Sequence, residues 1–146
     1  MNSSTWTAAP PPDTAPAGTD HSWSLRSPAQ LTAARHEIAA WLPDADLPWG
    51  TDRDAVDVLA LVVEELASNG LRHGGPPVEL DLRVCASGWL VEVHDRAAGT
   101  APRPPADRDP AFGGMGLNLV AELTTLHGWC PVGAARKTVW AAVGLR

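Results

Sequence analysis

Two short runs near the middle of the chain do most to limit its fold. Val78 to Cys85 and Trp89 to His94 each alternate apolar with polar residues, and Ala86-Ser87-Gly88 joins them. Side chains on a strand point to opposite faces with a period of two, so the pair reads as a β-hairpin. Val78, Leu80, Leu82 and Val84 share one face of the first strand; on the second, Trp89, Val91 and Val93 stand against Leu90, Glu92 and His94. A hairpin with an apolar face must bury it against another layer, and the flanking sequence supplies helices.

Ahead of the hairpin, His21-Ser22-Trp23-Ser24-Leu25-Arg26-Ser27 alternates as a short first strand. Ser27-Pro28 reads as a helix cap followed by proline in the first turn, opening a helix through Leu31, Ala34, Ile38 and Leu42 that stops at Pro43. Thr51 caps a long second helix with Asp52 and Asp54 in its first turn, where acidic residues complement the helix dipole. Its buried stripe is Val56, Leu59, Val63, Leu66 and Gly70, and Gly74-Gly75-Pro76-Pro77 ends it. After the hairpin, Asp95 to Phe112 dissolves into Ala, Gly, Pro, Arg and Asp, a long loop of the kind that is usually functional. Gly113-Gly114-Met115-Gly116 opens a third helix through Leu117, Val120, Leu123 and Leu126, ended by Gly128, and a final strand covers about Lys137 to Val143. This order predicts an α+β, two-layer sandwich with helices on one face of a mostly antiparallel sheet.

At 146 residues the chain holds one domain. Residues Met1 to about Asp20 are rich in Pro, Ser, Thr and Ala and read as a disordered tail, leaving residues 21–146 as the folded domain. A net charge of −6 argues against a surface that holds nucleic acid by counterion release. No stretch approaches the roughly 20 apolar residues of a membrane span, and the N-terminus lacks the pattern of a signal peptide, so the expected location is cytoplasmic. Cys85 and Cys130 stand alone and read as small buried thiols.

Four segments carry chemistry. In Val63-Glu64-Glu65-Leu66-Ala67-Ser68-Asn69-Gly70-Leu71-Arg72-His73-Gly74, the residues Glu65, Asn69 and His73 recur every fourth position and stack on one helical face. A carboxylate and an amide oxygen one turn apart suit a hard cation such as Mg2+; the same row also suits an ordinary solvated helix edge. Asp95 leaves a strand just before the irregular loop, placed either to accept a hydrogen bond from an exocyclic amine or to form a turn. In Gly113-Gly114-Met115-Gly116-Leu117, glycines let the backbone approach a phosphate at a helix N-terminus. It is neither a dinucleotide fingerprint nor a Walker loop, since the third glycine and the Gly-Lys-Ser/Thr are missing. Lys137-Thr138 lies in the last strand, as a ligand contact or a polar pair.

The order of these segments resembles the GHKL, or histidine-kinase-like, ATPase superfamily: Glu65-x-x-x-Asn69 on a helix, Asp95 after a hairpin strand, a loop, Gly114-x-Gly116-Leu117 opening a helix, then Lys137-Thr138 on a strand. Within it, the chain is similar to the small stand-alone anti-sigma-factor serine kinases and their actinobacterial relatives, over about His21 to the C-terminus. The resemblance implies the Bergerat ATP-binding fold, with ATP and Mg2+ as ligands. Asn69 would ligate Mg2+ and Glu65 would be the general base for an acceptor hydroxyl. Arg72 and His73 would sit near the phosphates or the helix end. Asp95 would recognise adenine with Thr138 assisting, Gly114 and Gly116 would admit the phosphates beside Leu117, and Ala101 to Gly113 would form a lid.

The implied activity is a protein serine/threonine kinase that sequesters a sigma factor or similar regulator and phosphorylates an antagonist protein. Relatives commonly dimerise, so a homodimer is a further expectation. The family's Asp-x-Gly-x-Gly box reads Asp95-Arg96-Ala97-Ala98-Gly99 here, and the lid is short and proline-rich. Those departures motivate a second reading, a non-catalytic ATP-dependent switch that docks a protein partner. Arg35-His36-Glu37-Ile38 is similar to the phospho-accepting site of sensor histidine kinases, but that site requires a long dimerising helical hairpin. His36 therefore reads as a helix-surface residue.

Overall fold

A computed structural model of the chain describes residues 6–12, 20–42, 53–85, 88–97, 115–124 and 126–144. Pro43, Thr51, Asp52, the 86–87 turn, Gly114 and the expected lid lie outside the described residues. The elements follow the sequence closely: β1 (His21–Leu25), α1 (Pro28–Trp41), α2 (Arg53–Asn69), β2 (Val78–Val84), β3 (Trp89–Asp95), α3 (Met115–Leu123), β4 (Leu126–Val132) and β5 (Arg136–Val143). The Ser27 side chain caps α1 by accepting from the Gln30 N–H, with Pro28 opening the first turn.

Among the described residues, five strands pair antiparallel in the order β1-β2-β3-β5-β4. The helices pack over one face of this sheet. Val78, Leu80, Leu82 and Val84 of β2, Val91 and Val93 of β3, and Val139, Ala141 and Val143 of β5 meet Leu31, Ile38, Leu59, Val63, Leu66, Leu117 and Val120 from the helices. This α+β sandwich is the expected architecture.

Two expectations change. The third helix does not run to Leu126: it stops at Leu123, and Leu126–Val132 forms β4, a strand the sequence reading lacked. Leu126 continues the spacing of Leu117, Val120 and Leu123, while Gly128 and Pro131 weaken a strand pattern, so helical periodicity masked the strand. Tertiary pairing with β5 overrides both. The second change concerns the expected tail. Residues 6–12 lie against the sheet: Ala8 bridges Trp129 in parallel, the Ala9 N–H donates to the Trp129 carbonyl at 2.9 Å, and the Trp129 N–H donates to the Thr7 carbonyl at 3.1 Å. Trp6 is 3% exposed and joins the core beside His127. The segment is a strap along the outer edge of β4, and one aromatic anchor offsets a composition that otherwise favours disorder.

Candidate functional site

The candidate site is organised along α2. Its apolar stripe faces the sheet, and that orientation sets its polar residues at the layer's border. Asn69, the last residue of α2, is 4% exposed and its side chain makes no capping hydrogen bond to the turn that follows. Glu65, one turn earlier, is half-buried and packs against the first turn of α3. A Cβ built on Gly116 would lie 1.7 Å from the Glu65 Oε1, so any side chain there would have to displace the Glu65 carboxylate. Gly116 thus lets the start of α3 close onto the Glu65 carboxylate.

Burial pushes the Glu65 carboxyl above the ordinary carboxylate range; Glu64 pushes in the same direction, and Arg72 opposes both. Glu64 itself pairs with Arg35 of α1 at 2.6 Å. Beyond Asn69 the chain widens into a π-helical turn, Gly70–Gly74. Such turns rotate the residues that follow, and the predicted row breaks there: Arg72 and His73 are exposed whereas Asn69 is buried.

At the other end of this turn, Gly74 packs on Asp95. A Cβ on Gly74 would sit 2.3 Å from the Asp95 Cβ, and the Arg96 N–H donates to the Gly74 carbonyl at 3.3 Å. Asp95 is 1% exposed; its Oδ1 accepts from the Ala97 N–H at 2.8 Å. Its Oδ2 faces not Thr138 but Lys137, whose Nζ lies 3.8 Å away in a pair that is 2% and 1% exposed. Glu65 with Gly116 thus lies toward one end of this segment and Asp95 with Gly74 at the other.

The structure sets Thr138 and Asp95 on opposite faces of the sheet. Cross-strand register pairs Asp95 with Lys137 and His94 with Thr138. Lys137 shares parity with Val139, Ala141 and Val143, which face the helices, so Thr138 points to the opposite side of the sheet. There its Oγ1 lies 2.7 Å from the His94 Nδ1. The apolar alternation of the last strand already places Lys137, and not Thr138, on the helix side. Leu117 lies in the core at 2% exposure, securing α3 beside the site. His36 is exposed on α1, as expected of a surface histidine.

The carboxylate and amide donors and the two close backbone approaches suit a nucleotide. The family model of the histidine kinase-like ATPase domain matches residues 25–142. The chain belongs to this family. Membership in the histidine kinase-like ATPase domain family supports ATP binding and agrees with the α+β architecture. No curated protein matches the chain. Among the described residues, no helix of this ATPase domain is long and apolar enough to cross a membrane.

The residues present also fit Mg2+. The Asn69 amide oxygen and the Glu65 carboxylate are hard donors one helical turn apart, beside the glycine of α3 that admits close backbone approach.

Proposed function

We propose that the chain is an ATP-binding regulatory protein of the anti-sigma-factor kinase type, transferring a phosphoryl group to a serine or threonine of an antagonist protein. The observation that carries this reading is the half-buried Glu65, packed on Gly116 one turn before the buried Asn69. Its raised affinity for a proton suits a general base, since proton transfer is most effective when the base's pKa lies near the working pH. Glu65 accepts the proton of the acceptor hydroxyl, Asn69 orients the metal–phosphate group, and Asp95 reads the exocyclic amine of adenine. Bound Mg2+ supplies charge neutralisation on the phosphates. Little further machinery is needed, because phosphoryl transfer rests on positioning and charge stabilisation.

On this reading the protein works in the cytoplasm with protein partners, a sigma factor or similar regulator among them, and as a homodimer. A second reading, an ATP-dependent docking switch without turnover, draws on the residues after Asp95. Ala97 stands where the family carries glycine, and its N–H already holds the Asp95 Oδ1.

Calorimetric titration of Mg-ATP tests the shared part: Asn69→Ala and Asp95→Asn each weaken binding at least tenfold relative to wild type. Equal affinity in all three proteins would sink both readings. Glu65→Ala separates them. A kinase loses phosphate transfer to a candidate antagonist while still binding ATP; a switch keeps ATP-dependent partner binding and shows no transfer even as wild type.

A further inference from the structure

The face of the sheet turned away from the helices carries its own polar constellation. Cross-strand register sets Asp81 of β2 directly opposite Glu92 of β3, and His94 is the next residue of β3 on the same face. We propose that Asp81, Glu92 and His94 form a binding site for a divalent transition-metal ion of the zinc class, on the open face of the sheet and separate from the nucleotide site.

Three observations carry this. The first is spacing. One ligand atom from each residue lies within 4.8 Å of the others, and the His94 Nε2 and Asp81 Oδ2 are 3.0 Å apart. Two atoms about 2.0–2.2 Å from one tetrahedral zinc-class ion stand roughly 3.3–3.6 Å apart, so this hydrogen-bonded pair needs to open by only about half an ångström to take one.

The second is orientation. A ligating imidazole normally has its second nitrogen fixed by a hydrogen-bond partner. Here the Nδ1 meets the Thr138 hydroxyl at 2.7 Å, which aims the Nε2 at the acidic pair. The Ser22 hydroxyl donates to the Asp81 Oδ1 at 2.7 Å and turns the Oδ2 toward the same point.

The third is charge. Glu92 is 9% exposed, and the cation described beside it is Arg83, 3.8 Å away. Arg83 also faces Asp20 at 3.6 Å, so it can serve that carboxylate when Glu92 is taken by an ion. Two carboxylates that share one guanidinium leave the cluster short of positive charge, and a dication corrects it. Imidazole nitrogen with carboxylate oxygen suits zinc, manganese or cobalt, whereas magnesium and calcium prefer all-oxygen shells.

Cobalt(II) is the probe, because its d–d absorption reports both binding and ligand set. Untagged, metal-stripped full-length protein is titrated with Co2+ and the ion then displaced by Zn2+. One ion per chain is expected, with weak visible bands of a nitrogen–oxygen shell. His94→Gln and Asp81→Asn abolish the bands, and Glu92→Gln gives a third ligand variant should one of these fail to fold by circular dichroism. Thr138→Val keeps all three ligands and weakens binding about 10- to 100-fold, as loss of an orienting partner does. Asp81→Asn binds Mg-ATP as wild type does, so failure here and failure of the nucleotide reading are distinguishable. The proposal is overturned by an absence of d–d bands, by bands unchanged in folded His94→Gln, or by intense sulfur-to-cobalt charge transfer marking a cysteine site.

Discussion

His94 and Asp95 are neighbours in sequence, as are Lys137 and Thr138, yet each pair is divided between two chemically different surfaces. On the helix side, Asp95 and Lys137 form a pair closed off from water, beside the turn that ends α2. On the other side, the partly exposed His94 and Asp81 meet the buried Thr138, with Glu92 and Ser22 beside them. The same two strands build both, and the pleat alone decides which residue goes where. The same ion-pair chemistry has different consequences on the two sides: removal of one partner from the dry pair leaves a bare buried charge, whereas water can replace a partner on the wet side.

The sharpest way to break this comparison is to substitute the adjacent residues of β5 one at a time. Lys137→Ala should cost about 3–5 kcal/mol in urea unfolding, because it abandons the buried Asp95 carboxylate. Thr138→Val should cost about 1 kcal/mol, the loss of one neutral hydrogen bond to the partly exposed His94. Equal costs would mean that the buried Lys137–Asp95 ion pair contributes no more than such a hydrogen bond.

A finer test uses pH, since the two sides carry carboxyls shifted in opposite directions. The hydrogen bond from His94 is the main cause holding Asp81 below the ordinary aspartate value, with burial opposing. Its contribution is present above the unfolded-state value and is lost as pH falls through the lower folded value. Asp81→Asn should therefore flatten the acid limb of a stability–pH curve. Glu65 is raised, chiefly by burial. Its contribution is full below the unfolded-state value and disappears as pH rises through the folded one, so Glu65→Gln should gain stability relative to wild type toward neutral pH. Both effects are small, because both carboxyls keep contact with water. Melting temperatures measured from pH 3 to about 7 would show whether the signs are opposed.

Much of the fold was legible because its strongest signals are local. The alternation of Val78–Val84 and Trp89–Asp95, and the Ser27-Pro28 start of α1, fix elements through sterics and capping that any window of sequence displays. β4 was not legible: Leu126 extends a helical spacing, Gly128 and Pro131 disfavour a strand, and only the presence of β5 beside it settles the contest. The site divides in the same way. Glu65 and Asn69 were visible as a helical pair, and Gly116 as a glycine opening a helix, but their closeness depends on how α3 meets α2. Thr138 was placed at the adenine end through family likeness, whereas strand parity sets Lys137 beside Asp95. The open-face cluster needs a register across β2, β3 and β5, which no single segment contains.

The strap of residues 6–12 bears on the order in which the molecule can be completed. Its first residues leave the ribosome early, yet the strand they dock on is made only after most of the chain has followed. Trp6 must therefore wait, unburied, through the synthesis of every other element described here. A chain that has assembled its sheet but not yet received this segment presents the backbone of β4 as an unpaired edge, open to a strand from another molecule. The interval between closing the sheet and seating Trp6 is when this protein is most exposed to self-association, and a truncation that removes the strap would make that interval permanent.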